Sequence, residues 1–282
     1  MRFDPDTELR TCTVNDYSLS YLEMGAGEPV VLVHGSLCDC RYWRPQMLPL
    51  ARSHRVIAVS LRHYWPQASA ARDGSFAIAR HADDVAALID ALGLGAAHVV
   101  GHSRGGRVAL ETALRRPQRV RSLVLADPGV QFADAPPDAA RGRFVGQAMA
   151  LIEAGDVEAG LALFVDAVNG ENTWPRMVEG FKRMARDNAV TLLGQASEPA
   201  AALTTEALRA LRMPALLIGG SASPARYDAV QRRLQELLPD VRRVVVQGAA
   251  HGMNLAKPHS FNSAVAGFLA RVAQADTAPP SR

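Results

Sequence analysis

The stretch that most constrains this chain is Gly101-His102-Ser103-Arg104-Gly105. It follows a short apolar run, His98-Val99-Val100, and opens a helical pattern over 106–116. Strand, tight turn and helix with a central Ser is the context that a G-x-S-x-G nucleophile elbow requires. The central residue sits in strained backbone while its neighbours crowd the strand before and the helix after. Gly101 and Gly105 suit those places because they carry no Cβ. The Ser103 hydroxyl is then held out above a sheet, at a helix N-terminus that favours negative charge.

The rest of the chain reads as strands and helices built around that turn. Segment 8–24 predicts two strands joined at Asn15-Asp16, a hairpin turn. The continuous apolar run at 29–33 suits a strand buried on both faces, hence a mostly parallel central sheet; 55–59 and 120–126 read as further buried strands, and 213–219 and 241–246 as the last two strands. Helical spacing recurs at 42–50, 78–92, 227–238 and 261–272. Between 130 and 205 the apolar strand runs stop, and helical stretches over 138–155, 157–168 and 174–194 replace them. Alternating βα units interrupted by helices predict an α/β core over 1–129 and 206–282, with a helical cap inserted over 130–205. The tail from Ala273 is expected to be disordered.

Composition narrows the classes. A chain of 282 residues, 48% apolar and 21% charged, suits one globular domain with an insertion. No run of eighteen apolar residues occurs, so no membrane span is expected. The polar start Met1-Arg2-Phe3-Asp4-Pro5-Asp6 has no apolar signal region, which points to the cytoplasm. The net charge is only +3, and the arginines are scattered without interleaved aromatics, so a nucleic-acid partner is not expected. Cys12, Cys38 and Cys40 imply no disulfide framework, and no nearby Cys or His completes a metal-ligand spacing around Cys38-Asp39-Cys40.

A nucleophilic Ser needs a base, and the base needs an orienting acid. Downstream of Ser103 the histidines are His251 and His259. His251 directly follows the last strand, in Gly248-Ala249-Ala250-His251-Gly252, which places it at the same sheet edge as Ser103. His259 follows Pro258 at a helix start and reads as a surface or capping residue. An oxyanion hole needs two backbone N–H groups. Arg104 supplies one, at a helix start where it has no intrahelical partner. Ser36, in the loop after Val33, is the candidate for the other. His34, which opens that loop, and Arg107 are candidates for substrate binding.

Here the sequence resembles the α/β-hydrolase superfamily. The pieces that carry the resemblance are Val31-Leu32-Val33-His34-Gly35-Ser36, the Gly101–Gly106 turn, Leu123-Val124-Leu125-Ala126-Asp127-Pro128 and Gly248-Ala249-Ala250-His251-Gly252, in the family's order. The resemblance covers roughly residues 17–271 and is weakest in the insertion. It implies a helical cap, no metal or organic cofactor, and a small-molecule substrate.

The sequence departs from the family's pattern at two loops. The loop after the third strand usually reads Asp-x-x-Gly-x-Gly; here Ser60 takes the Asp place and His63-Tyr64-Trp65 replaces the glycines. That bulky loop either walls the pocket or, for Trp65, packs into the core. The second loop concerns the acid. The family usually carries an Asp soon after the strand around 215–218, where this chain has Ser223. Asp127 at the end of the strand after the elbow helix is one alternative, as in certain haloalkane dehalogenases. Asp228 further along is another, and a site without an acid is the third. The elbow Ser103-Arg104-Gly105-Gly106-Arg107 also resembles that of fluoroacetate dehalogenases, which implies that Arg104 and Arg107 hold a substrate carboxylate; the other reading of the two arginines is that they pair with a protein carboxylate or reach solvent.

Together these features predict a serine hydrolase of a small carboxylic ester, thioester or lactone. Ser103 is its nucleophile, His251 its base and Asp127 its acid. The competing readings are a C–C bond hydrolase and a non-hydrolytic ligand-binding protein on the same fold.

Overall fold

The computed structural model describes residues 9–195, 198 and 202–277. The reading of the first six residues therefore lies outside the described residues. Eight strands form one sheet: β1 (Arg10–Val14), β2 (Tyr17–Met24), β3 (Glu28–Val33), β4 (His54–Val59), β5 (Ala97–His102), β6 (Val120–Ala126), β7 (Ala215–Gly220) and β8 (Val241–Val246). Their order is β1-β2-β4-β3-β5-β6-β7-β8. The first two pairings, β1 with β2 and β2 with β4, are antiparallel and the remainder parallel. Asn15 and Asp16 both take positive φ, 48° and 62°, as a two-residue hairpin turn demands.

The helices are α1 (Arg44–Leu50), α2 (Ile78–Ala91), α3 (Arg104–Arg115), α4 (Ala139–Glu153), α5 (Val157–Asn169), α6 (Thr173–Arg176), α7 (Glu179–Asp187), α8 (Thr191–Gln195), α9 (Thr205–Ala210), α10 (Ala225–Leu237), α11 (Met253–Ala256) and α12 (Pro258–Thr277). The alternation of side chains along a strand assigns the two faces of the sheet. Val31, Val33, Ile57, Val59, Val99, Leu123, Leu125 and Leu217 pack against α2, α3 and α10. Their neighbours Val30, Leu32, Val56, Ala58, Val100, Val124, Leu216 and Ile218 pack against α1 and α12. Burial on both faces is why these strands are continuous apolar runs. Among the described residues no helix is long and apolar enough to cross a membrane.

The chain leaves the sheet after β6 and returns before β7. At the neck, Leu203 N–H donates to Gln131 O and Ala133 N–H to Leu203 O, each at 2.8 Å. Helices α4 to α8 have a core of their own, including Ile152, Leu161, Phe164, Val165, Val168 and Trp174, into which Leu37 from the loop after β3 inserts.

Two expectations need correction. The stretch 174–194 is three helices, not one. Met177 and Val178 are extended between α6 and α7. Asn188 follows α7 and ties its end to the core: Nδ2 donates to Met184 O at 2.9 Å and to Asp39 Oδ2 at 2.7 Å, and Oδ1 accepts from Trp65 N–H at 2.8 Å. The tail expected from Ala273 instead continues α12 to Thr277, and 278–282 lie outside the described residues.

Candidate active site

Ser103 joins β5 to α3 with φ 54° and ψ −119°, a strained conformation for a residue with a side chain. Surrounding backbone holds it there. Its N–H donates to Ala126 O at 2.9 Å, and its carbonyl accepts from Gly106 N–H at 3.0 Å and Gly129 N–H at 2.9 Å. The flanking glycines are required by space. A Cβ on Gly101 would lie 2.3 Å from Gly105 O, and one on Gly105 would lie 2.2 Å from Val33 O. The loop after β3 approaches as closely: a Cβ on Gly35 would come within 3.0 Å of Ser103 Cβ. Ser36, the next residue along, lines one cavity with Ser103.

His251 lies between β8 and α11 and lines the same cavity as Ser103. Its Nδ1 faces Asp127 Oδ2 at 3.3 Å. With Nδ1 as the donor, Nε2 is left as the basic nitrogen. Two rings frame it. Tyr227 stacks at 4.1 Å between centroids, 17° from parallel, and His102 lies at 4.5 Å. His102 Nε2 donates to the His251 carbonyl at 2.8 Å, which ties the residue before Ser103 to the backbone of His251. Burial, helped by the Arg226 charge, pushes the His251 pKa down to about 3. Burial likewise takes His102 to about 3, so neither ring carries charge at neutral pH.

Asp127 ends β6 with φ 39°, its N–H bonded to Ile218 O at 3.0 Å. Its carboxylate is fully buried and well supplied with donors. Oδ2 accepts from Ser223 Oγ at 2.6 Å besides facing His251, and Oδ1 accepts from Gln231 Nε2 at 2.6 Å. Burial raises its pKa to about 6, against the lowering effect of those hydrogen bonds. Asp228 is elsewhere. Its side chain is 43% exposed and ion-pairs with Arg232 at 2.8 Å and with Arg243. Of the two candidate acids, then, Asp127 is the one in contact with His251.

The structure moves the other candidates away from the site. His34 is fully buried and does not line the cavity. Its Nδ1 donates to Gly35 O at 2.8 Å and its Nε2 accepts from Leu61 N–H at 3.0 Å, so it clamps two loops rather than a substrate. Arg107 is buried and paired with Glu111 Oε2 at 2.8 Å, one helical turn on, and is not among the cavity residues. The Arg104 side chain turns under the elbow, donating to Glu198 Oε2 at 2.8 Å and Phe76 O at 2.6 Å. Only its backbone is available to the site. The loop His63-Tyr64-Trp65 does not wall the cavity either: Tyr64 packs edge-on to His34, and Trp65 lies beneath the Arg41 guanidinium. Cys12, Cys38 and Cys40 are free thiols. Among the described residues no group of His, Cys, Asp or Glu could hold a metal ion.

Several residues of the site were not singled out from the sequence. Ser223 and Gln231 donate to Asp127, Tyr227 stacks on His251, and Asn169 Oδ1 in the insertion accepts from Gly252 N–H at 3.0 Å. Only Ser223 had a signal, since it stands where the acid was expected. The cavity has a volume of about 390 Å³, and its apolar walls come largely from the insertion: Phe164, Val165, Val168, Met177 and Phe181, with Leu37 from the core.

Comparison with known proteins agrees with this geometry. A family model described as the alpha/beta hydrolase fold matches residues 28–258, and the chain belongs to that family and is a hydrolase. Among its relatives, RutD of Azorhizobium caulinodans, provisionally named a carbamate hydrolase, is 31% identical over 264 residues, covering 92% of this chain and 97% of that protein. The 2-(acetamidomethylene)succinate hydrolase of Mesorhizobium japonicum is 27% identical over 267 residues, covering 92% and 94%. The crystal structure of carboxylesterase CesB from Bacillus subtilis has a TM-score of 0.76 at 21% identity, covering 93% of this chain and 91% of that one.

Proposed function

We propose that the protein is a serine hydrolase of small carboxylic esters, thioesters or lactones, acting through an acyl-enzyme with Ser103, His251 and Asp127 as its triad. The observation that carries this reading is the pairing of His251 Nδ1 with buried Asp127 on a ring that shares its cavity with Ser103. Ser103 Oγ attacks the substrate carbonyl carbon as His251 Nε2 takes the hydroxyl proton. The oxyanion accepts hydrogen bonds from the backbone N–H groups of Ser36 and Arg104. When the tetrahedral intermediate collapses, the bond to the leaving group breaks and His251 returns the proton to that group. Water then attacks the acyl carbon with His251 again as base, and the carboxylic acid leaves with Ser103 restored. Asp127 holds the imidazole orientation and stabilises the imidazolium that forms at each attack.

Residues 130–205 act in this reading as a cap that supplies the apolar walls of the substrate pocket. The cap touches the base loop directly through Asn169 and Gly252.

Mass spectrometry tests the proposal. Incubation with a fluorophosphonate should add one phosphonyl group to the peptide containing Ser103. Mixing with p-nitrophenyl butyrate should give a burst of nitrophenol and a transient butyryl adduct on the same peptide. An unlabelled Ser103 with ligand binding retained would support the non-hydrolytic reading instead.

A further inference from the structure

Of the two readings of the elbow arginines, substrate contact or a protein carboxylate, Arg104 and Arg107 both take the second. Another arginine faces the cavity. Arg176 ends α6 and lines the same space as Ser103 and His251. No Asp, Glu or Lys is among the residues that line it. With His102 and His251 neutral, Arg176 is the one formal charge on the cavity wall.

Its guanidinium also has no carboxylate partner among the described residues. The bond it makes is a long one, Nη2 to Glu171 O at 3.3 Å. The backbone beneath it is anchored, however. Asp166 on α5 accepts from Trp174 N–H at 2.7 Å and Asn172 N–H at 3.2 Å, and the Trp174 ring is buried in the core of the insertion. Arg176 is exposed, so it stands where the cavity opens to solvent. The arrangement is an apolar chamber with the nucleophile inside and a planar, fork-shaped donor at its solvent end. A guanidinium fork pairs bidentately with a carboxylate.

Building on the serine-hydrolase reading, we propose that Arg176 is a specificity residue and that the preferred substrates carry a carboxylate at the end of an apolar chain, remote from the scissile carbonyl. The apolar chain lies against Phe164, Val168, Met177 and Phe181, and the carboxylate meets Arg176 at the cavity mouth.

The test compares monoethyl adipate with the neutral ethyl hexanoate in steady-state hydrolysis by the wild type, Arg176→Gln and Arg176→Lys. The wild type should favour the anionic ester. In Arg176→Gln the ratio of kcat/KM, anionic over neutral, should fall by about three- to tenfold, the range between an exposed ion pair and a bidentate one. The change should appear in KM for the anionic ester, and Arg176→Lys should restore part of it. Raising the salt concentration should narrow the wild-type preference. A preference for the neutral ester, or a ratio unchanged in Arg176→Gln, overturns the proposal. Calorimetric titration of monoethyl adipate into Ser103→Ala, with and without Arg176→Gln, reads the same subsite without turnover. If neither ester is cleaved but Arg176 still governs binding, the serine-hydrolase reading fails and the subsite stands. If Arg176→Gln leaves binding unchanged, the subsite fails.

Discussion

Ser223 Oγ donates a hydrogen bond of 2.6 Å to Asp127 Oδ2. Ser223 stands after β7, where the fold usually places its acid, and Asp127 stands at the end of β6, the neighbouring strand. A hydroxyl in the first position therefore donates to a carboxylate in the second, and that carboxylate faces His251 Nδ1 at 3.3 Å.

The pH profile should report this contact. Burial holds the Asp127 pKa up at about 6, so kcat/KM is expected to fall as pH drops through about 6 and the carboxylate takes a proton. The Ser223 hydrogen bond favours the charged form and lowers that pKa. Ser223→Ala should shift the acidic limb to higher pH, by up to about one unit, while costing only a few-fold at pH 8. A pH–rate profile of both proteins checks the direction of the shift.

Stability should follow the same carboxylate with a definite sign. The folded-state pKa of Asp127 lies above its ordinary value of 3.8, so the folded state binds that proton more tightly than the unfolded state. The stabilisation is complete below about pH 4 and is lost as pH rises through about 6. Between pH 8 and pH 5, the Tm of the wild type should therefore rise relative to that of Asp127→Asn, which has no such proton to bind. Paired thermal melts at the two pH values measure the difference.

The elbow glycines give a steric prediction. A Cβ at position 105 would meet backbone at both Val33 O, 2.2 Å away, and His34 O, 2.4 Å away. Neither atom can swing aside as a flexible side-chain end would. Gly105→Ala should destabilise the protein by about 2 kcal/mol or more, at the upper end of the cost of overpacking. Urea denaturation against the wild type checks it, and the Ser103 loop should lose activity before the protein unfolds.

Ser103→Ala and His251→Ala should each remove nearly as much activity as the pair together. Residues that act as one unit are non-additive, and a loss on the order of 10⁴–10⁶ in kcat is expected from either. Single-turnover rates on one p-nitrophenyl ester, for both single variants and the double variant, measure this.

What was legible in the sequence divides by range. The buried strands could be read because burial on both faces writes a continuous apolar run, as at Val30-Val31-Leu32-Val33. Ser103 could be read because the elbow's crowding forces glycines around it, and His251 because it follows the last strand. Asp127 was readable only as a position at a strand end, one alternative of three. Partnerships across the chain left no local mark. Arg104 could be read as meeting substrate or as pairing with a protein carboxylate, and nothing local named the partner it takes, Glu198, 94 residues on. His34 sat in a loop that suggested ligand contact, and the bond that occupies its Nε2 comes from Leu61. The second of the two breaks inside 174–194 falls at Asn188, whose side chain bonds to Asp39 and Trp65, partners that no helical periodicity could reveal. Arg107 is the exception, since Glu111 lies one turn away at i,i+4 and its pairing was open to local reading.

The central claim is that Asp127 is the acid of the triad, and the most direct measurement is kcat for Asp127→Asn and Asp228→Asn on the same ester at pH 8. Asp127→Asn keeps the shape but removes the charge facing His251 Nδ1, and it places an amide where Ser223, Gln231 and His251 all offer hydrogens. A loss of roughly 10⁴ is the magnitude known for this change in a Ser-His-Asp triad. Asp228→Asn breaks ion pairs on an exposed helix face and should retain most activity. The account predicts that ordering. Retained activity in Asp127→Asn together with collapse in Asp228→Asn would contradict it and place the acid on α10.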